Sequence, residues 1–171
     1  MDAEREFARF VRTHTQTLLR TAYLLTGDGP AAEELVQDTL VRLYPKWALV
    51  QAADAPLAYV RRSITNAFIN QTRRASRREL VVELLPESPD LADDSGRFDD
   101  RDQLWALLRV LPLRQRAALV LRFFNDLSDD QIADELGCRA GTVRSLISRG
   151  LATMREHMIN EPSGSAGMRS A

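Results

Sequence analysis

The sequence predicts an all-α protein built from two small helical units joined by an acidic connector. Three observations carry that reading. Apolar residues recur at helical spacing through most of the 171 positions, and no alternating strand pattern persists, "LVVELL" at 80–85 being the one ambiguous stretch. Residues 86–100, "PESPDLADDSGRFDD", are rich in acids, Pro, Ser and Gly and poor in large apolar side chains, the composition of a solvated connector. The charge is also unevenly placed. Residues 61–80 hold six arginines against one acid, and residues 83–102 hold eight acids against two arginines, so a net charge of −1 conceals strong local fields.

These features set the expected boundaries: a first unit over 1–85, a linker over 86–101, a second unit over 102–158 and a disordered tail over 159–171. The second unit is short enough to bury only about 60% of its unfolded surface. No stretch approaches the roughly 18 apolar residues of a membrane span. The opening "MDAEREFARF" places acids where a secretory leader has a basic start. A single cysteine, Cys138, cannot form an internal disulfide. The expected compartment is the reducing cytoplasm.

In the first unit, a helix is expected from Pro30, with Glu33 and Glu34 in its first turn and Pro45 ending it. Ala32, Leu35, Val36, Thr39, Leu40 and Leu43 form its apolar face, leaving Glu33, Gln37, Asp38, Val41 and Arg42 outside. A second helix begins near Pro56, with Leu57, Val60, Ile64, Ala67, Phe68 and Gln71 on one side and Arg62, Asn66, Asn70, Arg73 and Arg77 on another. Guanidinium groups neutralise phosphates and Asn amides bond base edges, so that stripe suits nucleic acid. An ordinary amphipathic helix with a basic end has the same pattern.

In the second unit, Ser128 and Gln131 fit a capping box, with Leu127 and Ile132 as its hydrophobic staple. Ile132, Ala133 and Leu136 make a short apolar face, and Gly137 stands where a left-handed C-cap is wanted. After "GCRAG", Thr142 is expected to cap a second helix whose stripe is Val143, Leu146, Ile147, Gly150, Leu151 and Met154. Arg144, Ser145, Ser148, Arg149, Ala152 and Arg155 fall opposite. Two short helices joined by a glycine turn, the second with a polar basic face, form a helix-turn-helix (winged-helix-like) arrangement whose second helix enters the major groove. A structural hairpin with solvated arginines fits the same spacing.

Taken together, the segments resemble a bacterial sigma-70 family factor of the extracytoplasmic function (ECF) type, over about residues 4–157. "AEELVQDTLVRLYPKW" resembles the family's region 2.2, "AYVRRSITNAFINQTRR" regions 2.3 and 2.4, and "LPLRQRAALVLRFFNDLSDDQIADELGCRAGTVRSLISRGLATMR" region 4. "LLRTAYLLTGD" looks closest to an actinobacterial branch. The resemblance implies a factor that docks on core RNA polymerase and directs it to promoter DNA. Gln37, Asp38 and Arg42 would face the polymerase, and Arg62, Asn66, Asn70, Arg73 and Arg74 would lie along an opened −10 element. Arg144, Ser145, Ser148 and Arg149 would meet the −35 duplex.

Many relatives carry an anti-sigma partner, and the linker would thread polymerase channels or serve as a tether. Leu146, Gly150 and Asn70 depart from the family's frequent basic residue, Ala and Asp at those positions.

Other classes remain in view. "IADELG" followed by "GTV" also resembles repressor and response-regulator output domains, and a helical protein-binding adaptor is a further alternative. No alternating receiver-domain pattern precedes it, and a lone repressor domain leaves the Arg-rich helix without a role. No metal, cofactor or catalytic constellation is expected. His14 and His157 lie far apart, Cys138 falls in the turn, and no HxxxH, CxxC, GxSxG or glycine-rich phosphate loop occurs. Tyr23, Tyr44, Trp47, Trp105, Phe123 and Phe124 read as core aromatics.

Overall fold

The computed structural model describes residues 2–79 and 100–160, with the backbone alone at 72–79 and 100–102. Among these residues the secondary structure is helical. The α-helices are α1 (Asp2–Thr26), α2 (Gly29–Leu43), α3 (Trp47–Gln51), α4 (Pro56–Glu79), α5 (Asp100–Arg109), α6 (Leu113–Phe123), α7 (Asp129–Leu136) and α8 (Ala140–Asn160), and a 3-10 turn at Tyr44–Lys46 links α2 to α3. The ambiguous 80–85 stretch and most of the linker lie outside the described residues. Asp100 and Arg101, assigned to the linker, begin α5, and Ile159 and Asn160, assigned to the tail, end α8.

Local chemistry accounts for the helix boundaries. The Asp28 carboxylate accepts the Ala31 N–H at 3.0 Å, so α2 starts at Gly29 with Pro30 in its first turn. The start lies one residue earlier than expected, so Glu33 and Glu34 fall just past the first turn, and capping falls to Asp28. In α7 the Ser128 hydroxyl accepts the Gln131 N–H at 3.2 Å while the Gln131 side chain accepts the Ser128 N–H at 2.9 Å, the reciprocal box expected there. Gly137 closes α7 at φ +63°, the Cys138 N–H returns to the Ala133 carbonyl at 3.0 Å, and Arg114 caps the Leu136 carbonyl at 3.1 Å. The turn is so tight that α8 already begins at Ala140. Thr142 therefore lies inside its first turn and does not cap it.

The apolar face of α2 is buried residue for residue as its periodicity requires. On α4, Val60, Ile64, Ala67 and Phe68 are buried, whereas Gln71 is exposed. On α8, Val143 and Gly150 are buried and Leu146, Ile147 and Met154 partly so, but Leu151 faces out. Tyr44, Phe123 and Phe124 are also exposed and do not belong to the core, while Trp47 is buried against Phe7 and Phe10. Phe123 and Phe124 end a helix beside a turn in which Asp126 adopts φ +53°, so the chain reverses before these rings reach the interior.

The two halves are packed together. Their buried apolar side chains form one continuous cluster from Phe10 in α1 to Val143 in α8, with α1 against α5 and α6, and α4 against α6 and α7.

Candidate nucleic-acid and protein interfaces

The outer face of α8 presents Arg144, Ser145, Ser148 and Arg149, all exposed, and Val143 and Gly150 anchor the inner face. Gly150 rests on Leu119 of α6, so closely that an added Cβ would stand 2.9 Å from its Cδ1. Arg144 has a second-helix restraint. Asp129, in the first turn of α7, lies 3.5 Å from the Arg144 guanidinium and also pairs with Arg122 of α6. That carboxylate ties three helices together and biases Arg144 without burying it, leaving its side chain 66% exposed. Cations, hydroxyls and a rigid inner face are what a helix needs to meet phosphates and base edges.

On α4 the structure separates two neighbours. Arg62 and Asn70 are exposed and Asn66 is half-buried on the outer side. Arg73 and Arg74 follow in the same helix, where only the backbone is described. Arg61 instead turns inward, and its Nε and Nη2 donate to Glu135 Oε1 of α7 at 3.0 and 2.6 Å. Both side chains are nearly buried. The other carboxylate oxygen, Oε2, is buried with no hydrogen-bond partner among the described residues. Burial pushes the Glu135 carboxyl above its usual range, more than Arg61 and Arg62 pull it down.

A third cluster is the outer face of α2. Gln37, Asp38 and Arg42 are exposed there beside Val41, and Tyr44 and Leu49 are exposed just downstream. Arg42 is braced along its own helix, donating to the Asp38 carbonyl at 3.3 Å. A patch that mixes exposed aliphatic, aromatic and charged groups suits a protein partner.

The contacts joining the halves were missed by sequence reasoning. Arg116 of α6 donates to the carbonyls of Leu108, Arg109 and Leu111 at 3.0, 3.0 and 3.3 Å, and reaches Leu25, near the C-terminus of α1, at 2.7 Å. It satisfies carbonyls that helix ends leave unpaired and places a cation where the helix dipoles are negative. Burial lowers its pKa. Asn125 donates to the Thr21 hydroxyl at 3.1 Å. Gly27, at φ +71°, lies against the Trp105 indole so tightly that a Cβ there would fall 1.5 Å from a ring carbon. A signal for the ionic contacts does exist in the sequence. Arg61 stands three residues before Ile64, Glu135 three after Ile132, and Arg116 three after Leu113, each on the rim of an apolar stripe.

Comparison with known proteins finds two family matches along the chain. Residues 10–78 match sigma-70 region 2, and residues 101–154 match sigma-70 region 4. The RNA polymerase sigma-E factor of Streptomyces coelicolor is 37% identical over 154 residues, covering 90% of this chain and 86% of that protein. The ECF RNA polymerase sigma factor SigE of Mycolicibacterium smegmatis is 35% identical over 164 residues, covering 91% of this chain and 63% of its own length. The fold is similar to that of the sigma factor RpoE from Bartonella quintana, solved in complex with the anti-sigma factor NepR, with a TM-score of 0.75 at 24% identity over 92% of this chain and 99% of that one.

Proposed function

This chain belongs to the sigma-70 family, in its extracytoplasmic function group, and from that membership we propose how its exposed faces divide the work of initiation. The protein directs promoter-specific transcription initiation with core RNA polymerase. The α2 face, Gln37, Asp38 and Arg42, docks on the polymerase. On α4, Arg62, Asn66 and Asn70 of the outer side, with Arg73 and Arg74 further along the helix, follow the −10 element, where a basic groove tracks an opened strand and polar side chains read exposed bases. On α8, Arg144, Ser145, Ser148 and Arg149 read the −35 element as duplex.

The observation that carries this reading is the outward presentation of the polar face of α8 on a helix that follows the Gly137 turn and packs its inner face, through Gly150, on Leu119. As a polymerase subunit it works in the cytoplasm and performs no reaction of its own. No helix among the described residues is long and apolar enough to cross a membrane.

Run-off transcription with purified core polymerase on a promoter library tests the proposal. Transcripts should start downstream of paired −10 and −35 elements. Asp38→Arg should weaken polymerase binding while leaving helix content unchanged, since it reverses a charge on an exposed face. Full transcription by that variant would remove the role given to α2.

A further inference from the structure

Asp129 opens α7, where the unpaired N–H groups and the helix dipole suit a negative charge. Its carboxylate is nevertheless shared with two other helices. Oδ1 pairs with Arg122 of α6, and Oδ2 lies 3.5 Å from the Arg144 guanidinium of α8. Arg122 and Asp129 are partly buried, whereas Arg144 is exposed. The cluster is thus anchored at its inner end and open at its outer end. Arg149 lies on the same exposed face and, among the described residues, forms no ion pair.

An acid beside a DNA-facing arginine works against attraction. It offsets one cation and repels phosphates, so affinity alone gives no reason for it. Discrimination does. A phosphate accepts a guanidinium from many directions, whereas bidentate contact with guanine O6 and N7 requires one orientation of the fork. An exposed Arg loses rotamer freedom on taking up that orientation, which costs about two- to tenfold in affinity. A carboxylate that already restricts the side chain removes part of this cost for the base contact and adds to the cost of each phosphate contact. Specificity is the difference between the two.

We propose that Asp129 is a positioning residue for sequence recognition: seated on Arg122, it orients Arg144 toward one base edge, a guanine by the chemistry of the fork, and withholds it from phosphate. This role rests on the −35 reading of α8 given above. Asp129 itself touches no base. Of the two arginines on this face, Arg144 is the one whose sequence preference depends on a second residue.

The polar face of α8 is exposed in the full chain, so the test needs no truncation. Base preference is read by run-off transcription with core polymerase on a library varied at each −35 position. Attraction to phosphate is read by fluorescence anisotropy of the full chain on an unrelated duplex across a salt series. Arg144→Ala should lower the preference at one position by at least about fivefold. Asp129→Asn, which keeps the shape and removes the charge, should lower preference at that same position about two- to tenfold. Its binding to unrelated duplex should strengthen about threefold, with a salt dependence steeper by about one counterion. Arg122→Met, which removes the anchor, should reproduce the lost preference.

In the double variant Arg144→Ala with Asp129→Asn, preference should fall no further than in Arg144→Ala alone. Wild-type preference in Asp129→Asn overturns the positioning role. So does a loss spread over every −35 position, the mark of a merely destabilised helix pair. A further loss in the double variant overturns it too, because Asp129 then reads a base directly, as a carboxylate can at cytosine N4. Helix content and the urea midpoint are measured for each variant. Should Asp129→Asn fail to fold, a folded Arg122→Met protein with wild-type preference overturns the role. If Arg144→Ala leaves every preference intact, the −35 reading of Arg144 fails and the role of Asp129 falls with it, whereas a loss in Arg144→Ala with none in Asp129→Asn removes only the latter.

Discussion

Arg61 and Arg62 are neighbours on α4 and have opposite surroundings, whereas Arg144 and Arg149 on α8 both face solvent. Arg61 stands one turn before Ile64 and Thr65, both fully buried, so its guanidinium enters the seam and finds Glu135. Arg62 is rotated about 100° further round the helix and points away. On α8, Arg144 and Arg149 are set away from Val143 and Gly150 by the same geometry and stay outside. The difference shows that helical phase relative to the apolar stripe, and not the density of arginines in a segment, decides whether a cation is drawn into the packing or left in solvent.

The largest effects should fall on the inward member of the pair. Arg61→Ala or Glu135→Ala should destabilise the described packing by about 3–5 kcal/mol, because each leaves a buried charge without its partner. Arg62→Ala should remain within about 0.5 kcal/mol of wild type. Urea unfolding of the three proteins checks this, and a loss at Arg62 equal to that at Arg61 would break the contrast. Arg61→Met combined with Glu135→Met should be close to neutral, since replacing both partners removes the desolvation penalty along with the attraction.

A second contrast sharpens the account of the seam. Gly27 and Gly137 both hold positive φ, but no atom lies within 4 Å of a Cβ built at Gly137, whereas at Gly27 it would overlap the Trp105 ring. Gly137→Ala should cost only the conformational penalty, about 1–2 kcal/mol. Gly27→Ala adds the displacement of a packed indole and should cost a further 1–3 kcal/mol. Near-UV circular dichroism of Trp105 should change in the second variant and not in the first.

Much of the fold was legible in the sequence because its helices obey single-element rules. The buried face of α2, the capping box of α7, the left-handed Gly137 and the outward face of α8 each follow from residues within one or two turns. What escaped notice depends on partners far away in the chain. Glu135 looks like a solvated acid until α4 is placed beside it, 74 residues away in sequence, and Arg116 looks like surface charge until it meets the α1 carbonyl of Leu25, 91 residues away. Phe123 and Phe124 erred the other way. Their composition suggests core, but the reversal at Asp126 leaves them outside.

On the outward side of the contrast, Arg149→Ala should leave stability within about 0.5 kcal/mol of wild type. It should weaken binding to a −35 duplex by about 1–3 kcal/mol if the side chain reads a base, with discrimination relaxed at that position alone. If Arg149 contacts only phosphate, binding weakens equally on all sequences and the salt dependence falls by about one counterion. Fluorescence anisotropy on matched and mismatched duplexes across a salt series separates the two. Unchanged binding would place Arg149 with the solvated arginines and remove it from the reading face.

The smallest effect, and the one that bears most directly on the inward pair, is a response to pH. Burial in the seam raises the Glu135 carboxyl above its usual range despite the opposing pull of Arg61 and Arg62 from α4. The packed protein therefore holds that proton more tightly than the unfolded chain, in which Glu135 meets water. Its contribution to stability is complete below the ordinary glutamate range and is lost as pH rises through the raised value. Stability to urea should then rise on acidification from neutral pH through that window, and Glu135→Gln should flatten the response while Arg62→Ala leaves it in place. A fall over the same window would mean that the charged pair outweighs its own desolvation, reversing the balance assigned to the seam.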